Sequence, residues 1–235
     1  MLQQETPNDF LEIADWGRVP YDTALTRQNA MVCDRIDGTA PDRLILVEHP
    51  PVVTLGRSSG KADLCISEKD YREKGITLAE VDRGGKATYH GPGQMVAYPI
   101  LKLKHRDLHR FVRQLLTVVS RVLNAYGLEP ELKTGNPGLW VDSAKIASIG
   151  MAVRKWVTYH GISLNVNMDL TPFQWIVPCG HPDENITSIK QLLGRSVDME
   201  TVKQRFIEAF INTFEYNPAS VLHPMDNEVP KIKSA

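Results

Sequence analysis

The chain has 235 residues, 42% of them hydrophobic, enough to bury a substantial core as one large domain or two small ones. A formal net charge of -1 and a pI near 6.7 leave no global basicity to draw it to nucleic acid or to an anionic membrane surface. Cys33, Cys65 and Cys179 are widely spaced and odd in number, which fits a reducing compartment better than a disulfide framework. No basic segment leads into an apolar run near the N-terminus, and no run of about eighteen apolar residues occurs. The expectation is a soluble, cytoplasmic protein without a nucleic-acid or membrane partner.

In chain order, the first predicted element is a helix over Pro20 to Ile36, where Tyr21, Ala24, Leu25 and Val32 fall on roughly one face. Two short β-rich runs follow, Leu44 to Glu48 and Val52 to Leu55, split by His49-Pro50-Pro51. Proline interrupts backbone pairing, so this reads as a strand, a bend and a second strand.

Arg83 to Gln94 packs four glycines, a proline, two basic side chains and a histidine into twelve residues. Glycine at this density lets backbone N–H groups approach a ligand, although a plain surface turn has the same composition. The segment is not a P-loop, which needs four residues between its glycines and a Ser or Thr after its lysine; Gly56 to Lys61 fails the same test.

Asp107 is placed to cap a helix carrying Leu108, Phe111, Val112, Leu115, Val119, Val122 and Leu123, closing at Gly127. From Leu139 to Val166 β-branched and aromatic residues dominate, predicting two or three strands. Within them Lys145 stands alone in the apolar run Ala144 to Gly150. Burial there would strip the amine of hydration and favour its neutral, basic form; a strand lysine facing water would do nothing of the kind.

Cys179 sits between Pro178 and Gly180 at an apparent loop. A lone cysteine is either a small apolar filler or, given a partner that stabilises its thiolate, a nucleophile. A last helix starts at Asp198, with Val202, Phe206, Phe210 and Phe214 on one stripe, and stops before Pro218. No repeat, low-complexity tract or linker interrupts the chain. The reading is therefore one α+β domain over residues 1–217 and a polar tail over 218–235. No Cys or His pair has metal-ligand spacing, so no metal is expected.

Five ordered segments resemble the lipoyl(octanoyl) transferase family: HPPVVTLGR from His49, RGGKATYHGPGQMVAYPI from Arg83, GLWV with AKIASIG from Gly138 to Gly150, HGISLNVN from His160, and PCG from Pro178. The resemblance spans roughly residues 10 to 215. It implies a fold similar to the catalytic domain of biotin and lipoate protein ligases, a mixed sheet flanked by helices, and a Cys–Lys dyad that maps onto Cys179 and Lys145. It implies ligand-lining residues at Arg83, Gly84, Gly85, Lys86, Ala87, Thr88, Tyr89 and His90, at Ser148, Ile149 and Gly150, and at Gly161, Ile162 and Ser163.

The activity implied is lipoate biosynthesis without a cofactor. An octanoyl group passes from octanoyl-acyl carrier protein through an acyl-thioester on Cys179 to a lysine of lipoyl domains, in 2-oxoacid dehydrogenase complexes and the glycine cleavage H protein. A cysteine nucleophile beside a basic lysine suits such a two-step transfer. The alternatives are an ATP-dependent lipoate or biotin-type ligase, which needs no nucleophilic cysteine; a carrier-protein adaptor in which Cys179 is chemically ordinary; and a Cys–His hydrolase with His160 or His90 as base, for which no orienting acid has an obvious motif.

Overall fold

The computed structural model describes residues 10–180 and 183–222, with the side chain of Cys179 outside that description. In chain order the elements are β1 (Leu11–Arg18), α1 (Tyr21–Asp37), β2 (Asp42–Glu48), β3 (Val52–Leu55), α2 (Glu68–Glu73), β4 (Thr77–Glu80), β5 (Ala87–His90) and β6 (Gln94–Ile100). Then come α3 (Leu108–Asn124), β7 (Glu131–Lys133), β8 (Asn136–Val141), β9 (Ala144–Arg154), β10 (Val157–Asn165), α4 (Ile189–Leu193), α5 (Met199–Phe214) and β11 (Val221–Leu222).

The strands form an eight-stranded mixed sheet in the order β11-β1-β2-β6-β10-β9-β8-β7 and a three-stranded sheet β4-β3-β5. β11, β1 and β2 run parallel, and from β2 to β7 every pairing is antiparallel. The prolines at 50 and 51 do more than bend the chain: they end β2 in the large sheet and release β3 into the small one.

β2 is buried on both faces, and its alternation sorts the core. Leu44 and Leu46 meet Phe111, Leu115, Val119 and Val122 of α3 and Phe206 and Phe210 of α5. Ile45 and Val47 meet Ala24, Met31 and Val32 of α1 on the opposite face. The caps are as the sequence suggests. Asp107 accepts from the Arg110 N–H at 2.9 Å and Asp198 from the Thr201 N–H at 2.8 Å, each satisfying a donor that the first helical turn leaves without an intrahelical partner.

β9 and β10 form a long hairpin, with β8 beside β9, so the predicted two or three strands are three. Past residue 217 the chain does not leave the body at once. Asn217 caps a short turn, and Val221 and Leu222 pair with β1 as an edge strand. No helix among the described residues is long and apolar enough to cross a membrane.

Candidate active site

A cavity of about 150 Å³ opens between β5 with its preceding glycine loop, β6, β9, β10 and the start of β8. Of the residues the sequence pointed to, Arg83, Gly85, Lys86, Thr88, His90, Ser148, Ile149, Gly150, Gly161, Ile162 and Ser163 line it. Ala87, Tyr89 and Gly84 do not. Strand alternation is the reason for the first two: Lys86, Thr88 and His90 face the cavity, while Ala87 and Tyr89 point into the core around Val53, Tyr71 and Phe173. Gly84 instead donates its N–H to the Met151 carbonyl at 3.0 Å, tying the loop to β9.

The loop is further anchored by Arg83, whose guanidinium donates to the Thr54 hydroxyl and carbonyl, both at 2.8 Å through Nη2. Gly161 is required by close approach, since a Cβ there would stand 1.8 Å from the Ala97 carbonyl oxygen on β6.

One end of the cavity is a polar network in which His160 and His90, both singled out in the sequence, meet partners that were given no site role there: Tyr21, Gln28, Asp82 and Gln94. His160 lies inside β10 with φ +54°, an uncommon conformation for a non-glycine residue that locally re-aims the strand. Gln28 of α1 accepts its backbone N–H at 2.9 Å. Its ring nitrogens meet Asp82 Oδ1 at 2.7 Å and the Tyr21 hydroxyl at 3.3 Å. Asp82 is thus the orienting acid that sequence reading did not find, but with both ring nitrogens engaged His160 has no lone pair to spare for a cysteine.

Beside it, Gln94 donates through Nε2 to the Tyr89 carbonyl and to Asn165 Oδ1, so its Oε1 accepts from His90 Nδ1 at 2.7 Å. That fixes the His90 tautomer and leaves Nε2 as its acceptor nitrogen. Burial, reinforced by the neighbouring His49, pushes the His90 pKa down to about 3, so the ring is neutral at physiological pH. Tyr21 stacks on it, with ring centroids 6.0 Å apart.

Lys145 is not among the residues that line the cavity, but it is hydrogen-bonded to Asn136, which is; at 1% exposed it does not face water. Its Nζ donates to Asn136 Oδ1 at 3.1 Å, lies 3.8 Å from Glu184 Oε2, and sits 4.8 Å from the centre of the Trp140 ring. Glu184 accepts from Trp140 Nε1 at 2.7 Å and from Asn136 Nδ2 at 2.9 Å. Burial would raise the Glu184 carboxyl, but these two donors and the Lys145 charge outweigh it and hold it below the usual range. Asn136 also lines the cavity; it and Glu184 lie in none of the segments the sequence singled out, and Trp140, although within GLWV, was given no role of its own there.

The backbone of Pro178–Gly180 makes a single tight turn, with the Gly180 N–H donating to the Val177 carbonyl at 3.2 Å. Lys86 from β5's lead-in lies over this turn: a Cβ on Gly180 would stand 2.8 Å from its Nζ. Downstream, the chain returns to Lys145. The Lys145 N–H donates to the Asn185 carbonyl at 2.7 Å, and the Thr187 N–H to the Lys145 carbonyl at 2.9 Å. These bonds pair Lys145 at the start of β9 with Asn185 to Thr187, a stretch that begins six residues after Cys179.

The sequence matches the lipoyl protein ligase A/B catalytic domain over residues 20–211. An octanoyltransferase from Alkaliphilus metalliredigens is 40% identical over 210 residues, covering 88% of this chain and 96% of that protein. One from Rubrobacter xylanophilus is 43% identical over 196 residues, covering 83% and 89%. Among solved structures, a putative lipoate protein ligase from T. acidophilum superposes with a TM-score of 0.70 at 18% identity, covering 94% of this chain and 90% of that one. A lipoate-protein ligase A bound with ATP gives 0.69 at 16% identity, covering 93% and 88%. At such low identity these structures speak for the fold, which is the mixed-sheet α+β architecture expected. The chain belongs to the lipoyl protein ligase A/B catalytic-domain family. Within it, the chain is an acyltransferase of the octanoyltransferase branch.

Proposed function

We propose that this protein transfers an octanoyl group from octanoyl-acyl carrier protein to a lysine of lipoyl domains, with Cys179 as nucleophile and Lys145 as proton carrier. The acceptors are lipoyl domains of 2-oxoacid dehydrogenase complexes and the glycine cleavage H protein. The observation that carries this reading is the ladder between Lys145 and the segment that follows Cys179. It sets the stretch that follows Cys179 beside a buried amine whose hydrogen-bond partner Asn136 lines the cavity.

In the first half-reaction Lys145 takes the thiol proton and the Cys179 sulfur attacks the thioester carbonyl. The tetrahedral adduct collapses to octanoyl-Cys179, and the leaving pantetheine sulfur receives the proton from Lys145. In the second, the acceptor amine attacks octanoyl-Cys179 and gives its proton to Lys145. The amide forms, and the departing cysteine sulfur is reprotonated. Splitting one transfer into two acyl exchanges is what a covalent nucleophile offers.

The thioester already carries the activation that a ligase obtains by adenylation, so transfer is expected without ATP. The test is to mix the protein, octanoyl-acyl carrier protein and a lipoyl domain with and without ATP. A requirement for ATP would move the assignment to the ligase reading. Cys179→Ser is expected to abolish transfer, because a serine hydroxyl is far less ionised than a thiol near neutrality.

A further inference from the structure

We propose that Glu184 is a positioning residue for the Cys179–Lys145 pair: it orients the Lys145 amine and sets the pH at which the pair releases its shared proton. The inference rests on the reading of those two residues given above.

Lys145, Asn136, Glu184 and Trp140 are joined by mutual contacts. Asn136 accepts from Lys145 through Oδ1 and donates to Glu184 Oε2 through Nδ2. Trp140 presents its ring face to the amine and its Nε1–H to Glu184 Oε1. Each carboxylate oxygen is thus fixed by a different donor, and Oε2 is turned toward Lys145. The Glu184 side chain is 7% exposed. A buried carboxylate fixed by two neutral donors still carries its charge, and Lys145 is the cation it faces at 3.8 Å.

Glu184 lies five residues beyond Cys179, so this contact joins the nucleophile's own segment to the strand that carries the amine. Among the described residues, charged groups near the pair include Lys133, 5.0 Å from the centre of the Trp140 ring, and Lys86 at the cysteine's turn, which is paired with Asp63 at 3.7 Å. Against these two cations the negative charge of Glu184 favours retention of a proton on the Cys179–Lys145 pair. Removing it lets that proton leave at lower pH.

The test measures two rates against pH for wild type, Glu184→Gln and Glu184→Ala. One is iodoacetamide alkylation of Cys179, resolved from Cys33 and Cys65 by peptide mapping. The other is formation of octanoyl-Cys179 from octanoyl-acyl carrier protein. The acid limb of the alkylation profile is expected to fall by about one pH unit in both variants, so that on that limb they alkylate up to about tenfold faster than wild type. Acyl-enzyme formation should show the same displaced limb, with a lower plateau in the alanine variant, where Trp140 and Asn136 lose their acceptor.

A purely structural role would lower rates without moving the limb, and alkylation limbs in both variants that superimpose on the wild-type limb overturn the inference. If one variant fails to fold, the other reads the same displacement. Absence of octanoyl-Cys179 in wild type would instead reject the underlying covalent reading, and the alkylation profile would still decide the role of Glu184.

Discussion

Lys145→Arg separates the chemistry of this lysine from its structural charge. Arginine keeps a cation opposite Glu184 but cannot be deprotonated in the working pH range. The site is tight: Lys145 is 1% exposed, and its Cε lies 2.7 Å from where a Cβ on Gly138 would stand. Overpacking there is expected to cost about 1–3 kcal/mol of stability. Lys145→Met removes the charge instead. Leaving a buried partner unpaired typically costs about 3–5 kcal/mol, and because Glu184 keeps its donors from Trp140 and Asn136 the loss should fall at the low end.

The kinetic loss should be larger and alike in both variants. General-base assistance is worth about 10²–10⁴-fold, or about 2.7–5.5 kcal/mol of barrier. Rapid-quench mass spectrometry of acyl-enzyme formation, run beside urea denaturation, keeps the two effects apart. Raising the pH should partly restore both variants by ionising Cys179 without help. An arginine variant within a few-fold of wild type at neutral pH would refute the proton-transfer role and make Lys145 a fixed cation.

Gly161→Ala is expected to destabilise the protein by several kcal/mol or leave it insoluble, because the new Cβ meets the Ala97 carbonyl at 1.8 Å; a melting curve close to wild type would contradict the β6–β10 packing. His90 has a folded pKa of about 3, below its unfolded value, so its contribution to stability is full above about pH 6.5 and is lost as pH falls from there toward 3. Between pH 7 and 5, His90→Gln should therefore lose about 2 kcal/mol less than wild type in urea titrations, at about 1.4 kcal/mol per unit. Equal losses would show that His90 protonates freely in the folded state. Cys33 and Cys65 are exposed, and Cys33→Ala and Cys65→Ala should each retain transfer; loss of activity in a folded variant would mean that the nucleophile is misassigned.

What the sequence disclosed and what it hid divide along physical lines. Helices α1, α3 and α5 were legible because an apolar stripe is a local signal, joined in α3 and α5 by a capping aspartate, and Lys145 stood out because a single charge in an apolar run is local too. β1 was missed: Glu12 and Asp15 interrupt a short strand whose pairing with β2 is not local. Reading Arg83 to His90 as one ligand loop overlooked that β5 begins inside it, and period-two alternation then turns Ala87 and Tyr89 away from the cavity. Asn136, Trp140 and Glu184 meet Lys145 only once β8, β9 and the segment after Cys179 are assembled. Tyr21, Asp82 and His160 likewise come from three distant stretches.

An acyl group carried on Cys179 is detectable by intact-protein mass spectrometry after mixing the protein with octanoyl-acyl carrier protein, without acceptor. The expected result is a mass gain of one octanoyl group, mapped by peptide analysis to Cys179, sensitive to hydroxylamine, and discharged when a lipoyl domain is added. Efficient transfer to the lipoyl domain with no acylated enzyme at any time point, or with the label on another residue, would contradict it.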